Sequence, residues 1–366
     1  MYTNTMTGMD ITNRTSFLDK DESASLVIVK TLSRVILIPI SVFADVCCLY
    51  ILYKANRLNV TTRLLISSLA ISDLCVGTLG LAPLLWTASS RYWPESGQPV
   101  CGLYMFALQL FQYCGLNNIL MLVLECYIAI IYPLRYSTMS TRKCTINALV
   151  IQWTFWLTWG ITMYLVFCKD VIFDIHYDLC VLQHSTKKLM FVVIGAIFHI
   201  FLPVTVVIVM YTRILCIARQ HVVRVSTRRH SLHTDRNMRR QKKRNKKALY
   251  SFLLVTISTA ILWIPFTVIE MYETVTLHLL PSYVVWLGEL MEFSIPWINV
   301  LILLFKHRTL RKTAAKVMAN MCGDDGYMVS VRNVFIPNSL QSDTSSFRSA
   351  NFLSPIPRVR QSESNF

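Results

Sequence analysis

Charge is scarce in this chain. Asp, Glu, Lys and Arg make up 15% of its 366 residues while 54% are hydrophobic, which excludes the ordinary composition of a soluble globular domain. Acid is the scarcer sign, at 20 Asp and Glu against 36 Lys and Arg, for a formal net charge of +16. Enzymatic signatures are missing: no cluster at metal-ligand spacing, no nucleophile and base motif and no phosphate loop stands out, so the sequence supports no catalysis and implies no cofactor. No internal repeat is visible, which argues against repeat-built transporter folds. The N-terminal residues have no apolar signal-peptide core, so the first apolar run is expected to serve as an uncleaved anchor.

What is there instead is apolar sequence long enough to cross a membrane. Runs of mainly apolar residues occur near 35–53, 64–88, 100–131, 145–167, 189–211, 248–272 and 283–305, and about twenty such residues span a hydrocarbon core. Backbone groups in lipid must be satisfied within their own segment, so the runs are expected to be helices. The predicted fold is an all-α integral membrane protein, a seven-transmembrane helix bundle.

Seven spans put the termini on opposite sides, and basic residues orient them. The connections carrying Lys54, Arg57 and Arg63, then Arg135, Arg142 and Lys143, then the stretch from Arg213 to Lys247 with Asp235 as its only acid, are expected in the cytoplasm. In the alternate connections Arg91 is offset by Glu95, Lys169 by Asp170, Asp174 and Asp178, and 274–282 has no Lys or Arg. The chain thus reads as a plasma-membrane protein with its N-terminus outside. The positive charge faces anionic lipid and gives no reason to invoke nucleic acid. The domain reading is 1–34 as an outer N-terminus running into the first helix, 35–305 as the bundle, 306–322 as a short inner-leaflet helix and 323–366 as a disordered Ser-, Asn- and Pro-rich tail. Leu310, Ala314 and Val317 fall at helical spacing among bases in that short helix, which makes it amphipathic. Cys322 at its end is a candidate for palmitoylation or a free thiol, and Asn13 opens a glycosylation sequon with Arg14 and Thr15.

Several residues inside the spans need partners. Asp45 and Asp73 are carboxylates in the first and second spans, and Asn299 of the seventh is a third candidate for the same polar cluster. They either glue helices through a shared proton and hydrogen bonds or surround a cation or water cluster. Cys101 and Cys180 both lie on the outer side, where a disulfide would pin the second outer loop over the bundle mouth; two free thiols are the alternative. Prolines at 83, 203, 265 and 296 invite kinks, and Trp263 stands two residues before Pro265 in "LWIPF".

Together these features resemble the class A, rhodopsin-like G-protein-coupled receptors. The resemblance covers roughly 30–320 and rests on "SLAISD" with Asp73, Cys101 at the head of the third span, "ECYIAIIYPLRY" at its foot, Trp153, Cys180, Pro203 with Tyr211, and "LWIPF" with Trp263 and Pro265. It implies a receptor that binds an outside ligand and activates a heterotrimeric G protein as the sixth helix moves outward, with arrestin as a further partner of the Ser- and Thr-containing tail and lipid around the bundle.

Two switch motifs of that family are altered. Glu125-Cys126-Tyr127 stands where an acid, an arginine and a tyrosine are usual, and residues 299–303 read "NVLIL", with Val300 for a proline and Leu303 for a tyrosine. Cys126 has no fixed charge and no five-donor fork. Either a small residue simply fits there and coupling uses other contacts, or coupling is weakened and the chain is a decoy or partner subunit. A transporter or channel is a remoter reading.

The seventh span has no lysine for a Schiff base, and Leu108, seven residues after Cys101, stands where amine receptors of the family place an aspartate. Acid lies instead at Glu270 and Glu273 on the sixth span and at Glu289 and Glu292 on the seventh. Glu289, Glu292, Pro296, Asn299 and Leu303 follow a 3-4-3-4 spacing that places them on one helical face. If Asn299 faces the interior, so do both glutamates, and the ligand is expected to be cationic. His199, Trp286, Gln109 and Gln112 are expected to complete the pocket. The alternative is that both glutamates are bonded to neighbouring helices.

Overall fold

A computed structural model describes residues 24–56, 58–80, 98–133, 135–174, 179–183, 186–227 and 235–322. The sequon at Asn13, Pro83 and the tail 323–366 lie outside the described residues. Six helices are long and apolar enough to cross a membrane: Ser25–Lys54, Val60–Thr78, Pro99–Ile131, Arg142–Asp170, Leu249–Thr276 and Ser282–Lys306. The remaining span runs as a helix Thr186–Ala196, a π turn Ile197–Phe201 and a helix Leu202–Thr227. Its π turn ends just ahead of Pro203, whose missing N–H disrupts the regular ladder there. The protein is a multi-pass helical membrane protein.

The third span lies at the middle of the bundle, packing against the second, fourth, fifth and sixth; the first packs on the second and seventh, and the sixth on the fifth and seventh. Two of these approaches are close at a glycine. A Cβ on Gly115 would stand 3.1 Å from Asp73 Oδ1 and 3.2 Å from Ser72 Oγ, and one on Gly288 would stand 2.9 Å from Ile269 Cδ1 and 3.3 Å from the Phe266 Cα. Large apolar side chains such as Phe43 and Leu165 are 72% and 71% exposed, a pattern that suits lipid as the outer solvent.

The seventh span is two helices, Ser282–Glu292 and Ile295–Lys306, joined by a turn at Phe293 and Ser294. Pro296 explains the break, since it cannot donate to the carbonyl four residues back, that of Glu292. The Ser294 N–H instead reaches Met291 O, one residue short of a regular helical bond, at 3.2 Å.

At the Cys101 end a two-stranded hairpin covers the bundle. Strand β1 (Val171–Asp174) pairs antiparallel with β2 (Leu179–Leu182), Phe173 standing opposite Cys180. The Cys101–Cys180 disulfide, with Cα atoms 5.5 Å apart, ties β2 to the head of the third span. Tyr104, Phe106, Val171, Leu182 and Phe293 pack around it. Lower down, Tyr113 stacks on Trp156 with ring centroids 4.6 Å apart.

The described residues up to Leu310 form one compact unit, and those from Arg311 belong to a second. A helix spans Arg308–Cys322.

Candidate functional site

Beneath the hairpin lies an open cavity, with about 850 Å³ of empty space when the open solvent at its mouth is included. Its walls come from the third span (Tyr104, Gln109, Gln112, Tyr113), the hairpin, the fifth span (Phe191) and the sixth and seventh spans (Trp263, Phe266, Glu270, Glu292). The lining is mainly apolar and aromatic. Its ionisable members with carboxylates are Glu270 and Glu292, and among the described lining residues there is no Lys, Arg or His. Gln112 Nε2 donates to Glu292 Oε1 at 2.8 Å, and the charge of the buried Lys188 acts on Glu270.

The four expected glutamates separate. Glu270 and Glu292 line the cavity with Gln109 and Gln112. Glu289 does not: its Oε2 lies 3.0 Å from Arg34 Nη2 of the first span. Three residues of helix turn a side chain by about 300°, leaving roughly 60° between Glu289 and Glu292. That is enough to aim one at the first span and the other at the third. Glu273 Oε1 accepts from the Leu280 N–H at 2.7 Å and so ties down the connection after the sixth span. Trp286 Nε1 donates to Ser33 Oγ at 3.1 Å, again toward the first span. His199 is in the π turn, and its side chain lies outside what is described.

A smaller space follows, lined in part by Asp73, Asn299 and Thr259. Gln112, Trp263 and Glu292 line both spaces. Asn299 Nδ2 donates to Asp73 Oδ2 at 3.4 Å, and Thr259 Oγ1 donates to Asn299 Oδ1 at 3.2 Å. Asp45 is fully buried, and neither carboxylate oxygen has a hydrogen-bond partner among the described residues. Among those residues no group of three or more His, Cys, Asp or Glu could hold a metal ion.

At the opposite end, Glu125 and Cys126 are both buried. Glu125 Oε1 accepts from Thr62 Oγ1 at 2.8 Å and from the Tyr136 hydroxyl at 2.7 Å. Asn59 Nδ2 donates to the same Tyr136 oxygen. Burial, and then the charge of Glu125, push the Tyr136 phenol up, so it stays a donor. Tyr127 is half-buried, and Tyr211, on the fifth span, is exposed. Val300 and Leu303 are 3% and 1% exposed, apolar packing where the family has a proline and a tyrosine. Cys322 ends the last helix, and its side chain lies outside the described residues.

Sequence reasoning passed over Arg34, Thr62 and Tyr136. An arginine in an apolar run was the available signal for the first, because such a residue needs a partner; the others depend on contacts between distant segments.

The chain matches the family described as 7 transmembrane receptor (rhodopsin family) over residues 45–299. It is 25% identical over 250 residues to trace amine-associated receptor 8 of Homo sapiens, covering 67% of this chain and 72% of that one. It is 21% identical over 282 residues to a neuromedin U receptor homolog of Caenorhabditis elegans, covering 70% and 68%. A 5-hydroxytryptamine receptor 2B of Dichotomyctere fluviatilis is 24% identical over 204 residues, covering 54% and 41%. The order of spans, the disulfide over the cavity and the extent of the family match agree: the chain belongs to the rhodopsin-like, class A family of G-protein-coupled receptors.

Proposed function

We propose that this protein is a cell-surface receptor that takes a cationic ligand into the cavity beneath the Cys101–Cys180 hairpin and signals through a heterotrimeric G protein at the Glu125 end. The observation that carries the ligand class is the lining itself, two carboxylates set in aromatic walls, of which Glu270 already feels the charge of Lys188 and Glu292 is held by the neutral Gln112. Carboxylates attract a cation, and rings such as Tyr104, Phe191 and Phe266 add cation–π attraction. Glu292, oriented by Gln112, and Glu270 take the place of the third-span acid absent at Leu108. Two of the relatives are named for amines and one for neuromedin U, and a cationic amine or a basic peptide end fits this chemistry.

The basic connections support an N-terminus outside and a C-terminus in the cytoplasm. On that orientation Asn13 is glycosylated, Cys322 is palmitoylated beside the inner lipid, and the tail is open to arrestin. The test is a screen of amines and cationic peptides on cells carrying the full chain, read by G-protein activation. Glu270→Gln and Glu292→Gln should each weaken the agonist found, at unchanged surface level. A second reading, a decoy that binds ligand without coupling, is favoured by Cys126; ligand binding without nucleotide exchange on any Gα would establish it.

A further inference from the structure

Glu125 is held from one side only. Oε1 accepts two hydroxyl hydrogen bonds, from Thr62 and Tyr136. Oε2 has no hydrogen-bond partner among the described residues, although Glu125 is 6% exposed. A carboxylate accepts on both oxygens, and a buried one is costly to leave half satisfied. The neighbouring Cys126, 7% exposed, offers one weak donor in place of a guanidinium fork. Arg135, close in sequence, is exposed. The hydroxyls of Thr62 and Tyr136 therefore hold the carboxyl group in a fixed orientation, with its second oxygen unanswered among the described residues.

We propose that Glu125 is a docking point for a basic side chain carried by the cytosolic transducer, so that an ion pair ordinarily made within one molecule is here completed between two. An arginine suits the position best, because its planar fork pairs with a carboxylate directionally and it is more weakly hydrated than an ammonium. Oε2 is shielded from solvent in this structure, so docking requires the inner end of the bundle to open, as outward movement of the sixth helix would allow. Tyr136 and Thr62 are positioning residues in this scheme, and the inference rests on the reading that a G protein docks at this end.

The experiment measures association of the full-length receptor with each Gα subunit by energy transfer in cells, with surface level recorded in parallel. Glu125→Gln keeps an acceptor for Thr62 and Tyr136 but removes the charge, and should lower association about tenfold. Cys126→Arg supplies a guanidinium from within, fills Oε2 and should lower association to a similar extent. When the receptor-contacting Arg and Lys of the partner are changed to Gln, Glu125→Gln should have no further effect. Association raised or unchanged by Cys126→Arg overturns the docking point while leaving the receptor reading intact. No association of the wild-type chain with any Gα overturns both.

Discussion

Arg34 and Glu289 form an ion pair of 3.0 Å with side chains only 6% and 3% exposed, joining the first span to the seventh through the interior. Removing one partner of a buried pair leaves the other charge uncompensated, at a cost of about 3–5 kcal/mol. Arg34→Ala and Glu289→Ala should each reduce the mature receptor at the cell surface and its thermal stability. The exchange Arg34→Glu with Glu289→Arg should recover part of the loss. Single variants as stable as the wild type in detergent would show that the pair does not join the spans.

The two glutamates of the seventh span should respond differently. Glu292→Gln is expected to weaken a cationic agonist by one to two orders of magnitude, about 1–3 kcal/mol for a charged hydrogen bond lost, at near-normal surface level. Glu289→Gln should act chiefly on surface level, because its partner is Arg34. Radioligand saturation on intact cells separates affinity from receptor number.

Cys101 and Cys180 are 79 residues apart in sequence. In the chain-entropy view their bond contributes up to about 4.5 kcal/mol, and it also fixes β2 over the cavity. Cys101→Ser and Cys180→Ser should therefore give similar losses of surface receptor and ligand affinity, and the double variant should be no worse than either. Additive losses in the double variant would show that the cysteines act separately.

Gly115 faces Asp73 and Ser72 too closely for any side chain to enter without movement. Gly115→Ala should cost about 1–3 kcal/mol by overpacking, and Gly115→Val more. Both should shift the Asp73–Asn299 contact, which amide exchange or thermal stability in detergent would report.

The number and nature of the spans were legible because hydropathy over about twenty residues is a signal that tertiary structure does not alter. The disulfide was legible for a related reason, since two cysteines on one side of the membrane have few competing partners. The partners of two bases in the first helix, which begins at Ala24, were not: Lys30 and Arg34 are both buried, at 3% and 5% exposure. Their neighbours come from segments far along the chain. The seventh-span glutamates show a different limit: their spacing placed them on one face, but about 60° of helical rotation was enough to give them different partners. Cys126 was visible as a departure, whereas the one-sided bonding of Glu125 required Thr62 and Tyr136 to be placed in space.

Gln112, Trp263 and Glu292 border both the large cavity and the Asp73 space. A guest that presses on these side chains changes the room and the field around Asp73 at once. A ligand taken up as proposed would therefore meet three side chains that also border Asp73.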